Sequence, residues 1–123
     1  MVVDDERDIS DVITRALHRT SDFKVDAFYD GPSAFDNFKN HDAGYYSLML
    51  SNIRMPKISG FELAKKIREI DPNMKVVFMT AYDTLSVEPT NQMQSSIEVF
   101  VILKKPIKVT EVAPKLINCI VSK

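Results

Sequence analysis

Three stretches of this chain are apolar without a break: Leu48-Met-Leu50, Val76-Val-Phe-Met79 and Val99-Phe-Val-Ile-Leu103. None approaches the roughly 18 residues that a bilayer span needs, and their lengths and β-branched or aromatic content suit strands. A strand apolar at consecutive positions is covered on both faces, which is the condition of a parallel sheet between helices. Each run also opens a unit that recurs five times, a β-rich segment followed by a helical pattern. The expected strands are Met1–Val3, Lys24–Tyr29, Ser47–Leu50, Lys75–Thr80 and Val99–Leu103. No internal repeat, low-complexity tract or linker interrupts the series. Right-handed crossovers would join such units into an α/β fold, an open five-stranded parallel sheet doubly wound with helices on both faces.

The helical segments carry their own punctuation. Ile9, Val12, Ile13, Ala16 and Leu17 keep helical spacing, with Asp8 as a candidate N-cap. Gly31-Pro32 opens the second helix, because proline suits the first helical position. Ser59-Gly-Phe-Glu62 reads as a capping box before an apolar face of Leu63, Ile67 and Ile70, flanked by Ala64, and Asp71-Pro72 closes that helix. Thr110 can cap the last helix, with Pro114 in its first turn. Between Asp83 and Ser96 the chain is polar and holds Pro89, so a short or distorted helix with a mobile loop is expected there.

Length and charge narrow the function. At 123 residues and 14.0 kDa, one domain over 1–123 is expected. A net charge of -1 supplies no field for nucleic acid or membrane, so neither is an expected partner. The basic residues beyond Phe100 (Lys104, Lys105, Lys108, Lys115 and Lys123) read mainly as a solvated helix face. The lone Cys119, among Leu116, Ile117 and Ile120, reads as a buried structural thiol in a reducing compartment. His18 and His41 have no partner at metal-ligand spacing and read as surface residues. The acidic start, Met1-Val-Val-Asp-Asp-Glu6, is unlike a signal peptide, and a cytoplasmic location is expected.

In open α/β sheets the working residues stand just past the carboxyl ends of strands. Those positions hold Asp4, Asp5 and Glu6 after the first strand and Ser51 and Asn52 after the third, followed by Ile53-Arg-Met-Pro56 and Gly60. Thr80 and Ala81 end the fourth strand, and Lys104, Lys105 and Pro106 follow the fifth. Singly these are ordinary: paired acids often only mark a helix start, and Lys-Pro is a common helix boundary. Together they would place carboxylates, a polar oxygen, a hydroxyl and an ammonium around one pocket. Carboxylate and carbonyl oxygens suit a hard cation such as Mg²⁺, and a hydroxyl with a lysine suits phosphoryl oxygens beside it.

In these stretches (Val2-Val-Asp-Asp-Glu6, Leu48-Met-Leu-Ser-Asn-Ile-Arg-Met-Pro56 with Gly60, Phe78-Met-Thr-Ala81 and Leu103-Lys-Lys-Pro106) the chain resembles a response-regulator receiver domain, over essentially its whole length. The resemblance implies a flavodoxin-like sheet of strand order 2-1-3-4-5. It also implies Mg²⁺ held by Asp4, Asp5, the residue at 52 and the backbone carbonyl of Arg54. Thr80 would bind a phosphoryl oxygen, and Lys105 would pair with the phosphoryl group. The implied partners are a histidine kinase or phosphotransfer protein and a downstream effector protein, with homodimerisation allowed.

Two departures qualify this. Four residues before Pro56, where the family has its phosphoacceptor aspartate, stands Asn52. An amide whose nitrogen lone pair is delocalised is no nucleophile towards phosphorus, and the lost negative charge should weaken Mg²⁺ binding. Ser51 is adjacent but should point the other way along the strand. Either the chain is a natural pseudo-receiver that signals without phosphate, or an aspartate was recently lost or deliberately removed; the intact remainder of the pocket favours the second. The other departure is Ile102, where the family carries a switch aromatic, with Phe100 two residues earlier as a candidate substitute. The first strand also reads as truncated, with residues expected upstream, and the end at Lys123 leaves no effector domain in view.

The main reading is therefore a phosphorelay receiver that acts by protein contact and is not an enzyme. A phosphate-independent interaction domain is the second reading. A small phosphatase or phosphotransferase, with Asp4 or Asp5 as nucleophile, is the third.

Overall fold

The structure is a computed structural model, and it describes residues 1–80, 101–105 and 109–121. In chain order the elements are β1 (Val2–Val3), α1 (Arg7–Thr20), β2 (Ala27–Phe28), α2 (Gly31–Lys39), β3 (Leu48–Asn52), α3 (Gly60–Ile70), β4 (Lys75–Thr80), β5 (Val101–Lys104) and α4 (Val109–Val121). The strands form one sheet of order β2-β1-β3-β4-β5, and every pairing is parallel. This is the expected flavodoxin-like, doubly wound fold. From β1 the chain first steps outward to β2 and then returns to β3 on the other side. The strand order thus reverses between β1 and β3, where such sheets open a crevice at their carboxyl ends.

The unbroken apolar runs divide by parity between two cores. Val3, Met49, Val76 and Phe78 pack with Ala34, Phe38, Phe61, Leu63, Ala64 and Ile67 of α2 and α3. Val2, Leu48, Leu50, Val77 and Met79 pack with Ile13 and Leu17 of α1 and with Val112, Ala113 and Leu116 of α4. Phe38, Phe78, Leu17, Leu50 and Ile67 are among the largest fully buried side chains. Each contributes about 1.5–3 kcal/mol by leaving water.

Several local expectations change. β2 covers only Ala27–Phe28 rather than Lys24–Tyr29, because it pairs with β1 alone and β1 is two residues long. β3 runs on to Asn52, carried by continuous pairing with β4 as far as Asn52↔Met79. Asp8 does not cap α1: Glu6 is the N-cap residue, its carbonyl accepting from Ser10 N at 3.0 Å, and Asp8 lies in the first turn. There its charge still suits the positive end of the helix.

Asp30 caps α2 by accepting from Ser33 N, and Ser59 caps α3 by accepting from Glu62 N. The α3 face also differs: Ile70 is 42% exposed, and Phe61 takes its place in the core. Val12 of α1 is likewise exposed. α4 begins at Val109, so Thr110 lies within the helix and Pro114 inside it, past the first turn. His18 is exposed, whereas His41 is partly covered by stacking on Tyr45. The expectations for Asp83–Ser96 and Phe100, and for the side chains of Ile102 and Cys119, lie outside the described residues.

Candidate functional site at the carboxyl ends of the strands

Asp4 leaves β1 with its amide still donating to Phe28 O at 3.1 Å, so its position is fixed by the sheet. Its side chain is fully buried. Oδ1 accepts from Glu6 N at 2.9 Å, and Oδ2 accepts from Lys105 Nζ at 2.9 Å. Burial raises the Asp4 carboxyl above its ordinary range. The Glu6 amide and the Lys105 ammonium pull the other way, and the nearby Glu6 charge adds to the rise.

Lys105 is launched from the far side of the crevice. Its amide donates to Thr80 O at 2.7 Å, extending the β4–β5 ladder one step past the Thr80↔Lys104 pair. From there the side chain, 7% exposed, crosses to β1 and donates to both Asp4 and Glu6, the latter at 3.2 Å.

Asn52 ends β3 and is 7% exposed. Its Nδ2 donates to Arg54 O at 2.8 Å and to Asp5 Oδ1 at 3.2 Å. Only the nitrogen end of the amide can face two oxygens, so the orientation follows from the donor and acceptor inventory. The loop that carries Arg54 is pinned twice, by Ile53 N donating to Met79 O and by Gly60 N donating to Ile53 O. The second contact needs a residue without a side chain: a Cβ on Gly60 would stand 2.3 Å from Asn52 O. Ser51 turns to the α3 side, with its hydroxyl donating to the Asn52 carbonyl at 2.9 Å, and is outside this set.

The structure thus forms two hydrogen-bonded sets on neighbouring strand ends, Asp4 with Glu6 and Lys105, and Asn52 with Asp5 and the Arg54 carbonyl. Thr80 is buried at the adjoining strand end and holds Lys105 through its carbonyl. Glu6 is the residue that sequence reading undervalued. It looked like the tail of an acidic run, and its contact to Lys105, 99 residues away, follows only from the topology.

Strand order and pocket together define a switch-point α/β protein whose polar residues gather over the sheet's carboxyl edge. The chain belongs to the response regulator receiver domain family, whose model matches residues 1–116. It is similar to the response regulator receiver protein CpdR of Brucella abortus, with 29% identity over 106 residues covering 86% of this chain and 82% of that protein. The response regulator Rre1 of Synechocystis is 32% identical over 83 residues, 66% of this chain but 35% of that protein, so the chain spans less than half of Rre1. Among solved structures, the response regulator TrrA of Thermotoga maritima, in complex with Mg²⁺ and beryllium fluoride, superposes with a TM-score of 0.78 at 26% identity. That match covers 96% of this chain and 95% of TrrA.

Receiver domains are regulatory modules of two-component signal transduction and generally bind Mg²⁺ at their acidic pocket. In this pocket several of the candidate ligand oxygens are already engaged by the chain's own donors. Asp5 Oδ1 and Arg54 O both accept from the Asn52 amide, and Asp4 accepts from Lys105 and Glu6 N. Among the described residues no group of three His, Cys, Asp or Glu side chains is set to hold a metal ion, and no helix is long and apolar enough to cross a membrane.

Proposed function

We propose that residues 1–123 form one receiver module of a two-component phosphorelay whose acceptor slot is Asn52, so that it takes no phosphate as it stands and works by protein–protein contact. The observation that carries this reading is the placement of Asn52. It sits at the carboxyl end of β3, within hydrogen-bonding reach of Asp5 and Arg54 O, with the Asp4–Lys105 ion pair beside it. In this reading the position-52 side chain is the acceptor, and Lys105 and Thr80 serve the phosphoryl oxygens. A histidine kinase or phosphotransfer protein docks at this edge, and a downstream effector protein reads the surface. Replacing a carboxylate by an amide removes one negative charge, so Mg²⁺ binds weakly. Asp4 makes a poor nucleophile for a phosphatase, because it is fully buried with both oxygens engaged.

The hydrogen bonds of the Asn52 amide favour a second reading, a receiver that needs no phosphate at all. One experiment separates the two. This chain and its Asn52→Asp variant are treated with acetyl phosphate and Mg²⁺ and measured by intact-mass spectrometry. The expected outcome is no mass change for this chain and one acid-labile phosphate on the variant. Phosphate on the parent chain would overturn the acceptor assignment, and an inert variant would leave the phosphate-independent reading.

A further inference from the structure

We infer that the Asn52 amide stands in for a bridging cation, tying the loop after β1 to the loop after β3 so that the pocket keeps its shape without metal. This rests on the receiver reading but makes a claim that the charge argument does not. The two hydrogens of Nδ2 go to two oxygens on different loops: Asp5 Oδ1, 47 residues away in sequence, and Arg54 O. The bond to Arg54 O is 2.8 Å, and the bond to Asp5 is assisted by a carboxylate charge. A cation bridging these same oxygens would meet the amide hydrogens head on. To admit it, the amide must turn over and present Oδ1, giving up both bonds in a site 7% exposed. The other acid offers no alternative, since the Lys105 ammonium already sits on Asp4 at 2.9 Å. Both Asp4 oxygens and Asp5 Oδ1 are therefore engaged by the chain's own donors.

The consequence separates a blocking amide from a merely missing charge. If lost charge alone weakens Mg²⁺ binding, replacing Asn52 by alanine changes nothing, because both side chains are neutral. If the amide blocks the site, Asn52→Ala frees Asp5 Oδ1 and Arg54 O and gains a response to Mg²⁺ while losing the bridge between the loops. Asn52→Asp sets a third carboxylate beside Asp4 and Asp5 and depends on the cation most.

Thermal unfolding of the three proteins, each in EDTA and in saturating MgCl2, reads this directly. This chain should shift by less than about 1 °C. Asn52→Asp should rise by about 5 °C, the shift expected for a domain of this size when free cation exceeds its Kd about tenfold. Asn52→Ala should melt below this chain in EDTA and recover part of the loss with Mg²⁺. The side-chain NH2 signals of Asn52 in a ¹⁵N–¹H spectrum of this chain should stay in place through the Mg²⁺ titration, a readout that needs no variant to fold.

A stabilised parent, NH2 signals that move with Mg²⁺, or an Asn52→Ala protein as indifferent to Mg²⁺ as the parent overturns the inference. Phosphate uptake by Asn52→Asp tests the receiver reading separately. A variant that takes phosphate beside a Mg²⁺-responsive parent overturns only the bridging amide, and a variant that responds to Mg²⁺ yet takes no phosphate overturns only the assignment of position 52 as phosphoacceptor.

Discussion

At the scale of single residues, the pocket depends on a missing atom as much as on the groups present. Gly60 lets the start of α3 lie against the end of β3, where a Cβ would stand 2.3 Å from Asn52 O and 3.1 Å from Ser51 Oγ. The first obstacle is backbone and cannot swing aside, so either the helix start or the strand end must move. Gly60→Ala should therefore lose about 2–3 kcal/mol of stability, at the upper end of overpacking costs. Urea denaturation checks it, and a loss of a few tenths of a kcal/mol would mean that the approach is not tight. Sequence alone marked this glycine by its spacing from Pro56, and likewise marked Asp4, Asp5, Asn52 and Lys105. It could not show that Lys105 pairs with Asp4 and Glu6, because that pairing depends on the strand order that carries β5 over the crevice to β1.

At the scale of elements, what was legible followed from local chemistry. Proline and capping residues placed the starts of α2 and α3, and the unbroken apolar runs announced a sheet covered on both faces. The extent of β2 was not legible, since an edge strand is only as long as the partner it pairs with, and that partner is β1. The start of α1 was also missed, because the Asp4 carboxylate, not Asp8, bonds the amide of the N-cap residue Glu6.

The cap of α2 gives a prediction with a definite pH sign. Asp30 accepts from Ser33 N at 2.7 Å, and that bond, ahead of the Lys57 charge, holds its carboxyl below the ordinary range. A carboxyl depressed in the folded state stabilises fully above its unfolded value of about 3.9 and loses that contribution as pH falls through the folded value. Asp30→Ala should cost about 1 kcal/mol at neutral pH, with the gap to the parent closing in strong acid. Asp30→Asn, which still caps, should lose little at neutral pH and should gain on the parent by the same amount in acid, because it too lacks the titrating carboxyl. The Lys57–Asp30 ion pair at 3.8 Å, with the lysine 63% exposed, adds little.

At the scale of the whole molecule, the sheet separates a carboxyl edge that holds the candidate pocket from a foot that holds the chain together. At the foot, Tyr46 OH donates to Asp26 Oδ2 at 2.6 Å and accepts from Asn37 Nδ2, joining the approaches to β2 and β3 to helix α2. Burial, then the Asp26 carboxylate, pushes the Tyr46 phenol well above the usual tyrosine range. A phenol raised in the folded state stabilises fully below the unfolded value of about 10, and its contribution fades as pH climbs through the folded value. Tyrosinate absorbance should therefore show a late step that Tyr46→Phe removes.

The same substitution strips Asp26 of its phenolic donor and should cost about 1–3 kcal/mol at neutral pH. From Leu48 at the foot to Asn52 at the edge, β3 rises about 13 Å at 3.3 Å per residue. Sites that far apart with no shared partner add in free energy to within about 0.5 kcal/mol. Tyr46→Phe combined with Asn52→Asp should then sum the two single changes in stability and leave phosphate uptake by the Asn52→Asp background unaltered. A double variant that departs from the sum by more than about 1 kcal/mol, or loses its phosphate, would mean that the two ends of the sheet are coupled.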